Sequence, residues 1–391
     1  MKHSIQMIFS VLCLILCLAS CSYYEAPGDF SGGMDGVFGA DGGGSGNADS
    51  IRYEAGVLTA AEWNDLEHWD FWCNLIDTKD SLSYDSLLTY WGYQTSGRVG
   101  LQLTAPGKAL VDAEVALKHQ DALIWQTKTD NQGRAELWID LYGGNSGISV
   151  ADCQLYVNEV LLDVALNTNS LNVLDCAVEC VPSDKVDLLF MVDATGSMGD
   201  EMDFLKEDLM DVLDQVKSQR SDKEFRTASL FYRDEGDDYV VKHSDFTKNY
   251  EETINYIKKQ RAQGGGDYPE AVHTAMENLV QLPWAASAHA RLAFLFLDAP
   301  AHYSQEVLES LHASVRSCAK QGIKLIPVAA SGVDKSTEFM LRYFAMCTCG
   351  TYVFLTDDSG VGNAHLKPSV GEYQIQSLNS LLKNLILEYT E

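Results

Sequence analysis

Residues 186–192, 226–232, 292–297 and 323–329 form strand-like runs, the first and the last two almost wholly apolar, and they alternate with stretches of helical periodicity. A strand buried on both faces reads as a continuous apolar run, and strand–helix alternation produces a parallel sheet covered on both sides. Between the first two runs Met202, Leu205, Leu209, Val212 and Val216 line one stripe of a helix over about residues 199–219. Further helices are predicted at 249–260, 269–281, 305–321 and 337–346, an edge strand at 239–241 and a strand at 352–355. Leu378, Leu381, Leu382, Leu385 and Tyr389 mark a closing helix, and Pro269 suits a first helical turn. The fold class predicted for residues 185–391 is α/β, a doubly wound, mostly parallel sheet.

Such sheets bind ligands outside the carboxyl ends of their strands, where strand order reverses. Asp193-Ala-Thr195-Gly-Ser197 follows the first apolar run directly, and Asp298 follows the run at 292–297. Asp267 starts a helix out of the flexible turn Gly264-Gly-Gly-Asp267. One carboxylate and two hydroxyls at alternate positions, joined by two more carboxylates, form the all-oxygen set that hard divalent cations prefer.

The spacing of Asp193, Thr195 and Ser197 resembles the DxSxS loop of the von Willebrand factor A family, with Thr in the second slot. The likeness covers roughly residues 185–391. It implies a Mg²⁺ (or Mn²⁺/Ca²⁺) site built from Asp193, Thr195, Ser197, Asp267 and Asp298, and capture of a protein or polysaccharide ligand through the open coordination position. The family's second loop supplies Thr, whereas here the corresponding stretch is Gly264-Gly-Gly-Asp267-Tyr-Pro-Glu270. Asp267 could ligate directly, act through water, or cap its helix. Three carboxylates would hold an ion firmly and attract an incoming ligand carboxylate poorly. Glu270 reads as an acid at a helix start, where the dipole favours it. Asp234 reads as a solvated loop acid or a support behind the site, His302 as a residue that could orient ligands, and residues 355–365 as an ordered loop or a second metal site.

Upstream, the chain is organised differently. Lys2 and the apolar stretch 7–19 have the form of an export signal, and Leu18-Ala19-Ser20-Cys21 resembles a bacterial lipobox. That resemblance implies cleavage before Cys21, lipidation of its thiol, and a lipid-anchored place in the bacterial cell envelope; Ser22 hints at the outer membrane. An ordinary secretory signal is the alternative. Residues 22–54 are glycine-rich and read as a tether. Residues 55–95 contain Trp63, Trp69 and Trp72 and read as an amphipathic packing segment, similar to an LTAGEWND-type stretch of bacterial surface proteins that carry A domains. Residues 96–175 alternate as antiparallel strands about the turn Thr129-Asp130-Asn-Gln-Gly133. They resemble an Ig-like or carboxypeptidase regulatory-like β-sandwich.

Cys73, Cys153, Cys176, Cys180, Cys318, Cys347 and Cys349 read as buried thiols or disulfides; Cys176 could pair with Cys180, and Cys318 with Cys347 or Cys349. With 56 Asp+Glu against 28 Lys+Arg and a net charge of −28, binding to nucleic acid is not expected. No GxGxxG after the first strand, GxxxxGK[ST], HExxH or GxSxG motif is present, so the expected class is a metal-dependent binding module and not an enzyme. A scaffold with a stabilising cation and a metal-dependent hydrolase are the other two readings.

Overall fold

The computed structural model describes residues 58–78, 84–94, 96–178, 183–357 and 365–391. The export signal, Cys21, the tether, Cys180 and most of the 355–365 loop lie outside the described residues. A strand β1 (Thr59–Trp63) and helices α1 (Trp69–Asp77) and α2 (Tyr84–Trp91) come first. Eight short strands follow: β2 (Arg98–Ala105), β3 (Lys108–Ala109), β4 (Glu114–His119), β5 (Ala122–Lys128), β6 (Arg134–Trp138), β7 (Gln154–Val157), β8 (Val160–Leu162) and β9 (Asn172–Asp175). They make two four-stranded sheets, one of β3, β2, β6 and β9, the other in the order β5-β4-β7-β8.

The α/β part comprises β10 (Lys185–Asp193), α3 (Gly199–Glu207), α4 (Leu209–Gln219), β11 (Glu224–Tyr232), β12 (Val241–His243), α5 (Tyr250–Ile257) and α6 (Val272–Gln281). It continues with β13 (Ala290–Leu297), α7 (Gln305–Gln321), β14 (Ile323–Ala329), α8 (Lys335–Cys347), β15 (Tyr352–Thr356), β16 (Gln376–Ser377) and α9 (Leu378–Tyr389). Its strands form an eight-stranded sheet in the order β12-β11-β10-β13-β14-β15-β1-β16. β11, β10, β13, β14 and β15 are parallel neighbours, while β12, β1 and β16 run antiparallel to theirs. The expected doubly wound, mainly parallel α/β sheet is what the chain forms.

Strand alternation divides the core. Leu189, Met191, Ala293, Leu295 and Leu297 face one side with α6, α7 and α8. Leu188, Phe190, Val192, Leu292, Phe294 and Phe296 face the other with α3, α4 and α9. The first of these cores runs on without a break into the two small sheets through Val99, Leu101, Val115, Trp125 and Leu137. Trp72 and Trp91 are completely buried in it. The tryptophan-rich segment thus does more than pack: its strand β1 extends the large sheet beside β15.

Several boundaries depart from the sequence expectation. The helix expected over 199–219 bends at Asp208 (φ −105°), where α3 and α4 meet, although Asp208 N still donates to Phe204 O. Asp is a poor interior helix residue, so the turn loosens there. The edge strand falls at 241–243, not 239–241. Helix α6 begins at Val272, not Pro269, because Glu270 N donates to Pro300 O and Glu270 bridges Ala301, holding the chain extended. Cys73, Cys153, Cys176, Cys318, Cys347 and Cys349 are all free, so the suggested pairing of Cys318 with Cys347 or Cys349 is not made. Among the described residues no helix is long and apolar enough to cross a membrane.

Candidate metal centre

The chain leaves β10 toward β11 on one side and returns to β13 on the other, so strand order reverses between β10 and β13. A crevice opens at such a switch point. In the parallel ladder Val192 is level with Phe296, which puts Asp193 at the mouth of this crevice and Asp298 one residue past the end of β13. Asp193 is fully buried, Thr195 is 2% exposed and Asp298 5%, while Ser197 is exposed.

The first loop is set by its own hydrogen bonds. Thr195 N and Thr195 Oγ1 both donate to Asp193 Oδ1, at 2.8 and 2.7 Å. Thr195 Oγ1 and Ser197 Oγ are 3.4 Å apart. A second loop lies against it: Gly196 N donates to Gly264 O at 3.1 Å and Gln263 N to Ala194 O at 2.9 Å. Gly264 and Gly265 adopt φ of +90° and +76°, a region side chains rarely enter. A Cβ on Gly265 would lie 2.9 Å from Glu270 Oε1 and 3.2 Å from Thr195 Cβ, so glycine lets these two residues approach.

Burial pushes the Asp193 carboxyl up to about 7, helped by the Asp298 charge and opposed by the Thr195 hydrogen bonds. Burial also raises Asp298, against a hydrogen bond from Ser197. Glu270 rises furthest, to about 9, through burial and then the charges of Asp193, Asp234, Asp298 and Asp237. Glu201, in the first turn of α3, accepts from Ser331 N and Oγ at 3.3 and 3.1 Å, and it too is raised by burial. Among the described residues four buried carboxylate oxygens have no hydrogen-bond partner: Asp193 Oδ2, Asp298 Oδ1, Glu270 Oε2 and Glu201 Oε2. Buried polar atoms are seldom left so, and each costs about 1–3 kcal/mol when it is.

That donor chemistry fits a hard divalent cation. Asp193, Thr195, Ser197 and Asp298 are the residues that would hold it. Among the described residues no three His, Cys, Asp or Glu side chains stand together at metal-ligating spacing, so two aspartates and the hydroxyls would be the protein donors. Asp267 is exposed, and Ala271 occupies the N-cap of α6, so Asp267 does not cap that helix. The carboxylate that crowds the aspartates is Glu270, 4% exposed, turned inward by its bridge to Ala301. The helix-start reading of Glu270 is corrected accordingly. Glu201 carries no sequence signal that sets it apart, since acids at helix starts have an ordinary explanation in the dipole.

Around this centre, Arg233 Nε donates to Ala194 O at 3.2 Å and fixes the loop behind Asp193. Asp234, 7% exposed, is no solvated loop acid; His302 Nε2 lies 2.6 Å from its Oδ1. At the far end of the 355–365 loop, His365 Nδ1 is 2.6 Å from Asp357 Oδ1.

Residues 187–338 match the model of the von Willebrand factor A domain. A stretch of 125 residues is 30% identical to an ariadne-like RING finger protein of Acanthamoeba polyphaga mimivirus, covering 32% of this chain and 12% of that protein. Over 214 residues the chain is 22% identical to the alpha-protein kinase vwkA of Dictyostelium discoideum, covering 54% of this chain and 33% of the kinase. The chain therefore spans a third or less of the curated relatives it matches. The crystal structure of the conserved hypothetical protein BatB from Bacteroides thetaiotaomicron aligns over 52% of this chain and 98% of its own, with a TM-score of 0.36 and 14% identity. With a matched region that begins in β10 and ends in α8, and with its loops gathered at the carboxyl edge of a mainly parallel sheet, the chain contains a von Willebrand factor A domain.

Proposed function

We propose that this chain is a metal-dependent binding module, not an enzyme, displayed by a lipid anchor at Cys21 in a bacterial cell envelope, on the outer membrane. A Mg²⁺ ion (or Mn²⁺/Ca²⁺) would be held by Asp193, Thr195, Ser197 and Asp298. When bound, such an ion offers a coordination position to an oxygen of a protein or polysaccharide partner. The A domain by itself supports a role in protein interaction or adhesion.

One observation carries the reading. Asp193 Oδ2 and Asp298 Oδ1, at the ends of two adjacent parallel strands, are buried and have no partner. An uncompensated pair of this kind is expensive to bury unless a cation joins it. Thr195 and Ser197 add hydroxyl oxygens on the same side.

Isothermal titration of the chain with Mg²⁺, Mn²⁺ and Ca²⁺ tests the reading. Saturable uptake of one ion that disappears in a folded Asp193→Ala variant supports it, and no uptake by the wild type rejects it. Pull-down from envelope extracts with and without chelator then separates adhesion from a scaffold role, for which partners would be retained equally in both.

A further inference from the structure

Tyr268 follows the glycine turn of the second loop, and its ring is 43% exposed while its hydroxyl is tied down. Tyr268 OH lies 3.4 Å from Asp298 O and 3.2 Å from Gly332 O, the two carbonyls to which it can donate. It accepts from Asp334 N at 3.0 Å and stands 3.3 Å from Thr337 Oγ1. One phenol therefore joins the second loop to the end of β13 and to the loop between β14 and α8. Asp334 is the N-cap of α8, where its Oδ1 accepts from Thr337 N and Oγ1 at 2.7 and 2.6 Å. Tyr268 thus rests on a fixed point.

The second loop has little to hold it otherwise. Gly264 and Gly265 have positive φ, and a Cβ on Gly266 would meet nothing within 4 Å. Three successive glycines supply almost no rigidity of their own. Pro269 biases Tyr268 toward extended backbone, and two residues on Glu270 N donates to Pro300 O at 2.9 Å. The second loop is therefore fastened to the third at 268–298 and again at 270–300. The loop after β14 braces the other flank as well, since Ser331 Oγ donates to Glu201 of α3 at 3.1 Å. Asp298 O, which takes the Tyr268 contact, belongs to the residue whose buried Oδ1 has no partner.

We infer that Tyr268 is a positioning residue for the ion: through Asp298 O and the backbone at 332–334 it keeps the Asp298 carboxylate in place beside Asp193. This rests on the metal reading and gives Tyr268 the tie, not a donor position on the ion. Groups that orient metal ligands from behind are worth about 10–100-fold in affinity. A ring nearly half exposed adds little to the core, so its hydroxyl can be removed at small cost to the fold.

The test titrates the full chain with Mg²⁺ and Ca²⁺ by calorimetry, as wild type, Tyr268→Phe and Tyr303→Phe. Tyr303 is exposed and stacks on Tyr90, so it controls for the loss of a surface phenol. Urea midpoints in chelator give the stability of each chain without an ion. Tyr268→Phe is expected to bind Mg²⁺ about tenfold more weakly at an unchanged midpoint, and Tyr303→Phe to match the wild type in both. Calcium accepts looser donor geometry than magnesium, so its affinity should fall about threefold or less. A role confined to stability would lower the midpoint and weaken both ions alike, and that result overturns the inference, as does a Tyr268→Phe chain that does not fold. Equal magnesium affinity in wild type and Tyr268→Phe overturns it with the metal reading intact. No uptake by the wild type rejects the metal reading and the inference together.

Discussion

Arg342 Nε donates to Asp65 Oδ2 at 2.8 Å across 277 residues of sequence, and Arg342 NH2 meets Asp65 Oδ1, with both side chains almost entirely buried. The fork joins α8 of the A domain to the turn that follows β1, and the guanidinium stacks 4.7 Å over Trp72. Glu338 lies 3.6 Å from the same guanidinium and is held in turn by Lys335 at 2.9 Å. Breaking a buried pair leaves an uncompensated charge and costs about 3–5 kcal/mol. Asp65→Ala should therefore shift the urea midpoint sharply downward, whereas the combined Asp65→Leu and Arg342→Met exchange should recover much of the loss. Equal stability of Asp65→Ala and wild type would show the fork to be dispensable.

Asp193 illustrates a site whose stability and function oppose each other. Its Oδ2 is buried without a partner, so in the absence of cations Asp193→Asn should stabilise the fold, by about 1–3 kcal/mol. The wild type should regain the difference when magnesium is added, since an ion at one hundred times its dissociation constant contributes about 2.7 kcal/mol. Thermal melts with and without magnesium check both signs. The variant should show no magnesium response.

Gly265 is the position where a single methyl group should disturb the centre most. Its φ of +76° disfavours any side chain, and the added Cβ would press on Glu270 Oε1 and Thr195 Cβ. Gly265→Ala is expected to cost about 1–3 kcal/mol in strain and to weaken ion uptake by displacing the loop at Thr195. Gly266→Ala, with open space around it, is the matched control. Calorimetry on the two variants should separate them.

Glu62, on β1, is lifted to about 7 by burial and by the charges of Glu388 and Glu67. A carboxyl raised in the folded state binds protons more tightly there than when unfolded, so stability falls as pH climbs from the ordinary value near 4.5 toward about 7. Glu62→Gln removes that loss. Because Glu62 is partly exposed, the gain at pH 8 should be about 1 kcal/mol, and it should vanish near pH 4. Urea melts at the two pH values would expose the opposite sign if the account were wrong.

The sheet was legible because residues 186–192, 292–297 and 323–329 carry their own signature of two-sided burial, and the switch point followed from the order of the elements. Asp193 and Asp298 were legible as strand-end residues for the same reason. β1 was not: Thr-Ala-Ala-Glu-Trp has no pattern that separates it from a packing segment, and only its partner β15, far along the chain, makes it a strand. In the second loop Pro269 suggests a helix start that the chain does not use. A backbone bond from Glu270 N to Pro300 O moves the helix start and turns Glu270 inward, and no local sequence signal encodes that tertiary contact.

Crystals soaked in Mn²⁺ and measured at the manganese absorption edge interrogate the centre itself. Anomalous density between Asp193 Oδ2, Asp298 Oδ1 and the Thr195 and Ser197 hydroxyls, with Asp267 remote from it, is the expected result. A fully soaked crystal with no density there, or with the ion on Asp267 instead, would contradict the account.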